Sequence, residues 1–360
     1  MGWDEADLAL VLSGGNALGA YQGGAYQALH EAGLSPGWVV GASAGAINGG
    51  VICGNPSDQR IQKLKILWGI VADEPLQGAS FLPEEARRTY AAVTGMTAGR
   101  SGFFRPRWMV QSYAGLVGDP SSASLYDMSP LNATLERLIS YDLLNQQLPR
   151  FSAVAVDVEN GQDVYFDNHA HSIGPDHLRA SSALMPAYAP VDIGGRLFAD
   201  AGISANLPLD VVLSEPRQRP LVCIAIDLLP LEGKRPNTLG EATSRAEDLM
   251  FATQSRRAIA AWQAIFAERR GNAALAPITL LYIAYADQED EVSGKAFDFS
   301  SRSAELRWSA GFNDVKQAID GLPAVFGATS TNFSVYSLRK EQFGNKRLIE
   351  VRWKLAPTLA

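Results

Sequence analysis

Apolar residues gather in short, nearly unbroken runs along the first two thirds of this chain. Leu8 to Leu12 (LALVL) is the first. Such a run is expected of a strand buried on both faces of a parallel sheet. Ser13-Gly14-Gly15-Asn16 follows as a flexible loop, and the pattern then predicts a helix from about Ala20 to Ala32 with Gly33 as its C-terminal cap. Trp38 to Val40 reads as a second strand, and a second helix leaves from Ala44. Strand, helix, strand, helix is the opening of a doubly wound α/β sheet with helices on both faces, a three-layer α/β/α arrangement. Phe151 to Val158, Val164 to Phe166 and Leu221 to Ile226 fit further strands.

Residues 55–130 read differently. They are mixed helical and loop-like, with turn clusters such as Gly118-Asp119-Pro120-Ser121, and suggest a helical cap inserted over the sheet. Pro230 to Pro236 resembles a boundary. The expected organisation is therefore a catalytic-type α/β region over 1–235 and a mostly helical C-terminal extension over 236–360. Within that extension Thr243 to Arg269 is a long helical pattern, Ile278 to Tyr285 fits a strand, Ser303 to Ile319 fits another helix, and the tail from Thr329 is poorly patterned. No internal repeat or low-complexity segment is visible.

Composition narrows the classes. Hydrophobic residues make up 47% and charged residues 19% of 360, ordinary for a chain that buries a core. Lys+Arg 31 against Asp+Glu 38 gives a net charge of −7. No strongly basic tract appears, so nucleic-acid binding has no electrostatic support. The start, Met1-Gly2-Trp3-Asp4-Glu5-Ala6-Asp7, is acidic and lacks the basic and apolar regions of a secretory signal. Ala6 stands where a myristoylation motif wants Ser or Thr. No apolar run is long enough to span a bilayer. Cys53 and Cys223 lie in apolar stretches and read as reduced core residues. A cytoplasmic protein is the default expectation, compatible with peripheral contact at a membrane surface. Nothing in the sequence indicates an oligomeric state.

Gly41-Ala42-Ser43-Ala44-Gly45 brings in chemistry. It reads G-x-S-x-G directly after the second strand, the pattern of a nucleophile elbow that holds a serine hydroxyl at the apex of a sharp strand-to-helix turn. Glycines flank the serine because the turn crowds its own backbone. The reaction implied is acyl transfer through a serine ester. In a chain with 33 glycines the same pattern also fits a plain turn.

The loop after the first strand adds weight. Backbone N–H groups at Ser13-Gly14-Gly15, ahead of a helix, suit negative charge. A dinucleotide fingerprint would need Gly at position 16, which is Asn, and a P-loop would need Lys at position 20, which is Ala. The remaining anion is the oxyanion of a tetrahedral intermediate, and the alternative is a tight turn with no ligand.

A serine also needs a base. Elbow enzymes usually place acid and then His after the serine. Here the histidines are His30, His169, His171 and His177, none beyond 177, and the elbow arrives only two strands into the sheet. Both points disfavour a histidine triad. Asp200, in Leu197-Phe198-Ala199-Asp200-Ala201-Gly202, is delivered by an apolar strand to a small-residue turn, with Asn206-Leu207-Pro208 after it. In a dry pocket the proton affinity of such a carboxylate rises towards that of a useful base.

Together these pieces resemble the patatin-like phospholipase family, over roughly Leu8 to Ile226. Ala20-Tyr21-Gln22 follows the loop in the family manner, and Leu178-Arg179-Ala180-Ser181-Ser182-Ala183 through Pro190 is similar to the segment before the family's aspartate. The resemblance implies a Ser–Asp dyad without histidine or cofactor: Ser43 as nucleophile, Asp200 as base, and N–H groups of Gly14 and Gly15, with Asn16, as oxyanion donors. The implied substrates are fatty-acyl esters, phospholipids or lysophospholipids among them. The chain departs from the family in three places. It has two consecutive glycines where three or more are usual, Leu18 where Arg or Lys is usual, and Ala201-Gly202 where Gly-Gly or Gly-Ala follows the aspartate. The region after Pro236 is similar to an extension in a bacterial branch of the family, notably at Phe297-Asp298-Phe299-Ser300 and Trp308-Ser309-Ala310-Gly311.

Other features have plainer readings. Phe103-Phe104-Arg105-Pro106-Arg107-Trp108-Met109 fits either a lid meeting a lipid interface or a junction with its aromatics in the cap core; the second is favoured. His169 and His171 would share a strand face, which is weak support for a metal. Two rival functions remain: a related acyl-transfer enzyme (thioesterase, acyltransferase or intracellular polyester depolymerase), and a non-catalytic lipid-binding scaffold.

Overall fold

Alternation within the buried strands builds two cores at once. In a computed structural model, residues 6–70, 82–107, 123–269, 276–326, 332–340 and 346–354 are described. The first strand, β1 (Asp7–Leu12), sends Leu10 and Leu12 to one face and Ala9 and Val11 to the other. β2 (Trp38–Ala42) likewise splits Val39 from Val40 and Ala42. Side chains of a strand point alternately to opposite faces, so a run apolar at every position needs cover on both sides.

That cover comes from helices. α1 (Ala20–Glu31) and α2 (Ala44–Cys53) lie on the Leu10 face, together with a long C-terminal helix, Ser301–Phe326. The opposite face is covered by Leu209–Leu213 and by part of a second long helix, Leu239–Glu268. Small residues let α1 and the C-terminal helix touch backbone to backbone. A Cβ on Gly24 would lie 1.9 Å from the Trp308 carbonyl oxygen, and one on Gly311 2.0 Å from that of Tyr21.

The sheet contains ten strands among the described residues. The remaining strands are β3 (Arg105–Pro106) and β4 (Tyr126–Asp127), which form a separate small pair; β5 (Arg150–Asp157), β6 (Asp163–Asp167), β7 (Val191–Ile193), β8 (Arg196–Asp200), β9 (Leu221–Asp227), β10 (Ile278–Ala284), β11 (Phe333–Lys340) and β12 (Lys346–Glu350). The main order is β12-β11-β10-β9-β1-β2-β5-β8-β7, with β6 also on β5. From β11 across to β5 all neighbours are parallel; the pairs β11–β12, β5–β6, β5–β8 and β7–β8 are antiparallel. The fold is thus a three-layer α/β/α arrangement on a mixed, mostly parallel sheet. Chain beyond 235 does not stand apart from it. It supplies β10, β11 and β12 as well as the two long helices, and the tail that lacks a clear hydrophobic pattern holds two of those strands.

The insertion over 55–130 contains α3 (Arg60–Trp68) and α4 (Glu84–Ala98). Phe103 and Phe104 are buried, packed on Trp68, Tyr126, Tyr188, Phe297 and Phe299, in the same apolar cluster as Leu10 and Leu12. Trp108, Met109 and the turn cluster at 118–121 lie outside the described residues. Cys53 and Cys223 are buried free thiols, each pushed up to about 12 by burial. No helix among the described residues is long and apolar enough to cross a membrane.

Register places the site. Ala42 of β2 pairs with Val154 of β5, and Asp200 of β8 pairs with Ala155, the next residue. Val154 and Ala155 both use their other edge for β6. β8 therefore takes up the edge of β5 where β2 leaves off, and Asp200 arrives where the chain turns out at Ser43.

Candidate active site

Ser43 occupies the strained apex. Its backbone angles are φ 54 and ψ −124, a region L-residues seldom visit. The chain passes so closely over itself that a Cβ on Gly41 would lie 2.3 Å from the Gly45 carbonyl oxygen, and one on Gly45 2.2 Å from that of Leu12. The turn is tied down from outside. The Ser43 N–H donates to the Ser181 carbonyl (3.0 Å) and to Ser181 Oγ (3.2 Å), and the Ser43 carbonyl accepts from Ser182 Oγ (3.2 Å). Ser181 Oγ in turn donates to the Val154 carbonyl at 2.6 Å.

Asp200 is held by the same segment. Its N–H donates to the Ala183 carbonyl at 3.1 Å, two residues after Ser181. Asp200 is 1% exposed, and its carboxylate accepts from the Gly202 N–H at 2.7 Å. Burial raises its pKa from an ordinary 3.8 to about 6, against the opposing pull of the nearby Ser43 hydroxyl and the Gly202 N–H. Ala201, the residue that departs from the family's glycine, sits in a short 3-10 turn (Ala201–Ile203) and is not among the non-glycine residues of positive φ.

The glycine loop lies against Ser43. A Cβ on Gly14 would be 2.9 Å from Ser43 Cβ and 2.4 Å from Asn206 Oδ1, so only glycine fits between them. The Gly14 N–H, however, donates to the Asn206 carbonyl at 3.0 Å and is already spent there. Among the described residues, no acceptor takes the N–H of Gly15 or Asn16. Asn16 stands at φ 51, left-handed, a conformation that asparagine tolerates better than most residues. Its side chain lies near the Tyr188 hydroxyl and opposes the rise in pKa that burial gives that group.

Several supporting residues carry no chemical mark in the sequence. Ser181, Ser182, Asn206 and Tyr188 lie close to the motifs but gain their part only from contacts across the fold. Gln254 and Arg307 lie far along the chain. Fully buried Arg307 donates from Nη1 to the Ala17 carbonyl (3.2 Å), just after the glycine loop, and to that of Asp298 (2.7 Å). Its Nε and Nη2 meet both carboxylate oxygens of Glu291 at 2.8 Å. A cation thus reaches this loop from the C-terminal helix, while Leu18 is fully buried in the core.

His169 and His177 are occupied elsewhere. His177 Nδ1 accepts from the Gly174 N–H (3.0 Å) and its ring stands edge-on to Phe166 (4.7 Å). His169 Nε2 lies 3.2 Å from the Gln147 carbonyl. Among the described residues, no group of three or more His, Cys, Asp or Glu side chains is placed to hold a metal ion.

A serine at a strand-to-helix turn and a buried aspartate thus meet at one edge of β5 on a mostly parallel three-layer α/β/α sheet. Residues 10–213 match the patatin-like phospholipase family, and the chain belongs to that family. Curated relatives in Mycobacterium tuberculosis and Mycobacterium bovis, described as uncharacterized NTE family proteins, are 27% identical over 205 residues, 56% of this chain and 44% of theirs. The chain therefore spans less than half the length of those relatives. Among solved structures, VipD from Legionella pneumophila is similar with a TM-score of 0.44 at 16% identity, covering 88% of this chain and 67% of that one. ExoU, in complex with SpcU from the type III secretion system of Pseudomonas aeruginosa, scores 0.33 at 13% identity, covering 88% and 51%.

Proposed function

We propose that the chain is a serine acyl-ester hydrolase of lipids, of the phospholipase A or lysophospholipase kind, working through Ser43 and Asp200. The observation that carries this reading is the register that brings the buried Asp200 to the turn at Ser43, where the serine hydroxyl faces a carboxylate with a raised pKa. With a pKa of about 6 the carboxylate is largely ionised at neutral pH, yet a better base than one in water. As Ser43 Oγ attacks the acyl carbon, Asp200 takes its proton. Charge on the carbonyl oxygen falls to the unclaimed N–H groups of Gly15 and Asn16, helped by the positive end of α2. Gly14 serves by being small. The tetrahedral intermediate collapses, the leaving alkoxide takes the proton from Asp200, and an acyl-serine remains. Water then attacks the acyl carbon, Asp200 again accepting the proton, and fatty acid leaves with Ser43 restored. On this reading residues 1–235 carry the chemistry, 55–130 cap it, and 236–360 complete its support.

The test is turnover of p-nitrophenyl acyl esters and of phospholipid vesicles, with labelling of the serine by a fluorophosphonate. Wild-type protein is expected to hydrolyse and to be labelled, and Ser43→Ala to do neither. Hydrolysis undiminished in Ser43→Ala would remove the nucleophile.

A further inference from the structure

Asp200 is carried on a turn with two backbone groups that its own fold leaves over. The N–H groups of Ser204 and Ala205 both close back onto the Ala201 carbonyl (2.9 and 2.7 Å), which leaves the Gly202 carbonyl and the Asn206 N–H unpaired within the turn. One side chain meets both. Gln254 Nε2 donates to the Gly202 carbonyl at 3.0 Å, and Gln254 Oε1 accepts from the Asn206 N–H at 2.9 Å. Gln254 lies 52 and 48 positions away, on the long helix Leu239–Glu268, outside the part of the chain that matches the family.

One of its partners touches Asp200 directly, and the other reaches Ser43 through Gly14. Gly202 is the residue whose N–H holds the Asp200 carboxylate. Asn206 holds Gly14 by a second pair of bonds: its carbonyl accepts the Gly14 N–H (3.0 Å), and its Nδ2 donates to the Gly14 carbonyl (3.3 Å). Gly14 lies against Ser43. We infer that Gln254 is a positioning residue: its amide fixes the turn that carries Asp200 and, through Asn206, sets that turn against the loop beside Ser43. The inference rests on the dyad reading above. It assigns the region beyond the family match a part in the reaction without placing any of its atoms on substrate.

The geometry makes the two ends of the amide separable. Methionine keeps the length and bulk of Gln254 but offers neither bond. Glutamate keeps an acceptor for the Asn206 N–H but sets an oxygen against the Gly202 carbonyl. The experiment compares full-length wild type, Gln254→Met and Gln254→Glu by steady-state hydrolysis of p-nitrophenyl butyrate, thermal melting, and hydrogen exchange of peptides spanning 200–207. Gln254→Met is expected to lose about tenfold in kcat with KM within about twofold, because small misplacements of a reacting group cost rate rather than binding. The 200–207 peptides should exchange faster while melting shifts by no more than a few degrees. Gln254→Glu should recover exchange protection more fully than kcat.

Wild-type kcat and wild-type exchange in Gln254→Met would overturn the inference. So would a fall in melting temperature with kcat unchanged, since that describes packing alone. Failure of the dyad reading looks different: wild-type protein would hydrolyse no ester and take no fluorophosphonate. The exchange measurement would still decide whether Gln254 holds the turn.

Discussion

Ser43 stands on a turn shaped by what its neighbours lack, and Asp200 on a turn placed by what distant residues add. Around Ser43 the decisive positions are glycines within two residues, where a methyl group would strike backbone at 2.3 and 2.2 Å. Around Asp200 no such crowding fixes the chain. The turn is held by Ala183 from before it, Asn206 from after it and Gln254 from the second long helix. The first device is steric, local and nearly all-or-none. The second is a set of hydrogen bonds, each worth about 0.5–1.5 kcal/mol net, which can be weakened one at a time. The two halves of the site should therefore fail differently under mutation.

The largest effect is expected at the elbow. Gly45→Ala would push a Cβ into the Leu12 backbone, where no side chain can yield. Loss of about 4 kcal/mol or more follows, read as loss of the cooperative denaturant transition or of soluble protein. A folded, active Gly45→Ala protein would show that the turn has room, and would erase the contrast with Asp200.

Next comes Asp200→Asn, which keeps an acceptor for the Gly202 N–H and removes the proposed base. A fall in kcat/KM of about 10²–10⁴ is expected. Stability should move the other way. A folded pKa raised from 3.8 to about 6 means that burying the ionised form costs stability, fully so above about pH 6. The Asn variant should then melt above wild type at pH 8, by an amount corresponding to at most about 3 kcal/mol, and the gap should close as pH falls towards 4. The same pKa sets the acid limb of wild-type kcat/KM near pH 6, activity falling as Asp200 is protonated. An acid limb near pH 4 with no stability gain in Asp200→Asn would mean the carboxylate is not desolvated.

The same division explains what could be read from the chain itself. Leu8–Leu12, Trp38–Val40 and the glycines around Ser43 announce themselves because strand burial and a crowded turn are properties of consecutive residues. Asp200 was legible through its strand and small-residue turn. The role of Gly14 was only half legible: its smallness follows from the sequence, but the engagement of its N–H by Asn206 depends on a contact 192 residues away. Gln254 and Arg307 carry no local mark, since a glutamine or arginine in a helical pattern reads as a solvated face. β11 and β12 escape the pattern because the edge strand Lys346–Glu350 is mostly polar and its neighbour Phe333–Lys340 is only partly buried.

Arg307→Met tests the second device where a charge is involved. It would leave Glu291, whose carboxyl the Arg307 guanidinium holds down at about 2 despite burial, with only Arg88 (3.0 Å) and the Tyr285 hydroxyl (3.1 Å) as partners. Removing one member of a buried pair costs about 3–5 kcal/mol. A lowered urea midpoint would report it. Since the glycine loop loses the bond at Ala17 as well, kcat should fall in whatever protein remains folded.

The smallest effect is expected at His177, and it sharpens the comparison most cheaply. In a histidine mechanism this ring would touch the serine, and Asp200 would only orient it. Here its Nδ1 takes the Gly174 N–H at the start of the short helix Pro175–Ser181, and its ring lies edge-on to Phe166. Burial lowers its pKa, which favours the neutral ring that can accept that bond. His177→Ala should cost about 1 kcal/mol in stability, from one hydrogen bond and one aromatic contact, and should leave kcat/KM on p-nitrophenyl esters within about twofold. A collapse of kcat/KM to the level of Ser43→Ala, with the fold intact, would transfer the base from Asp200 to the ring. The hydrogen bonds around 200–206 would then position an orienting group and not the proton acceptor.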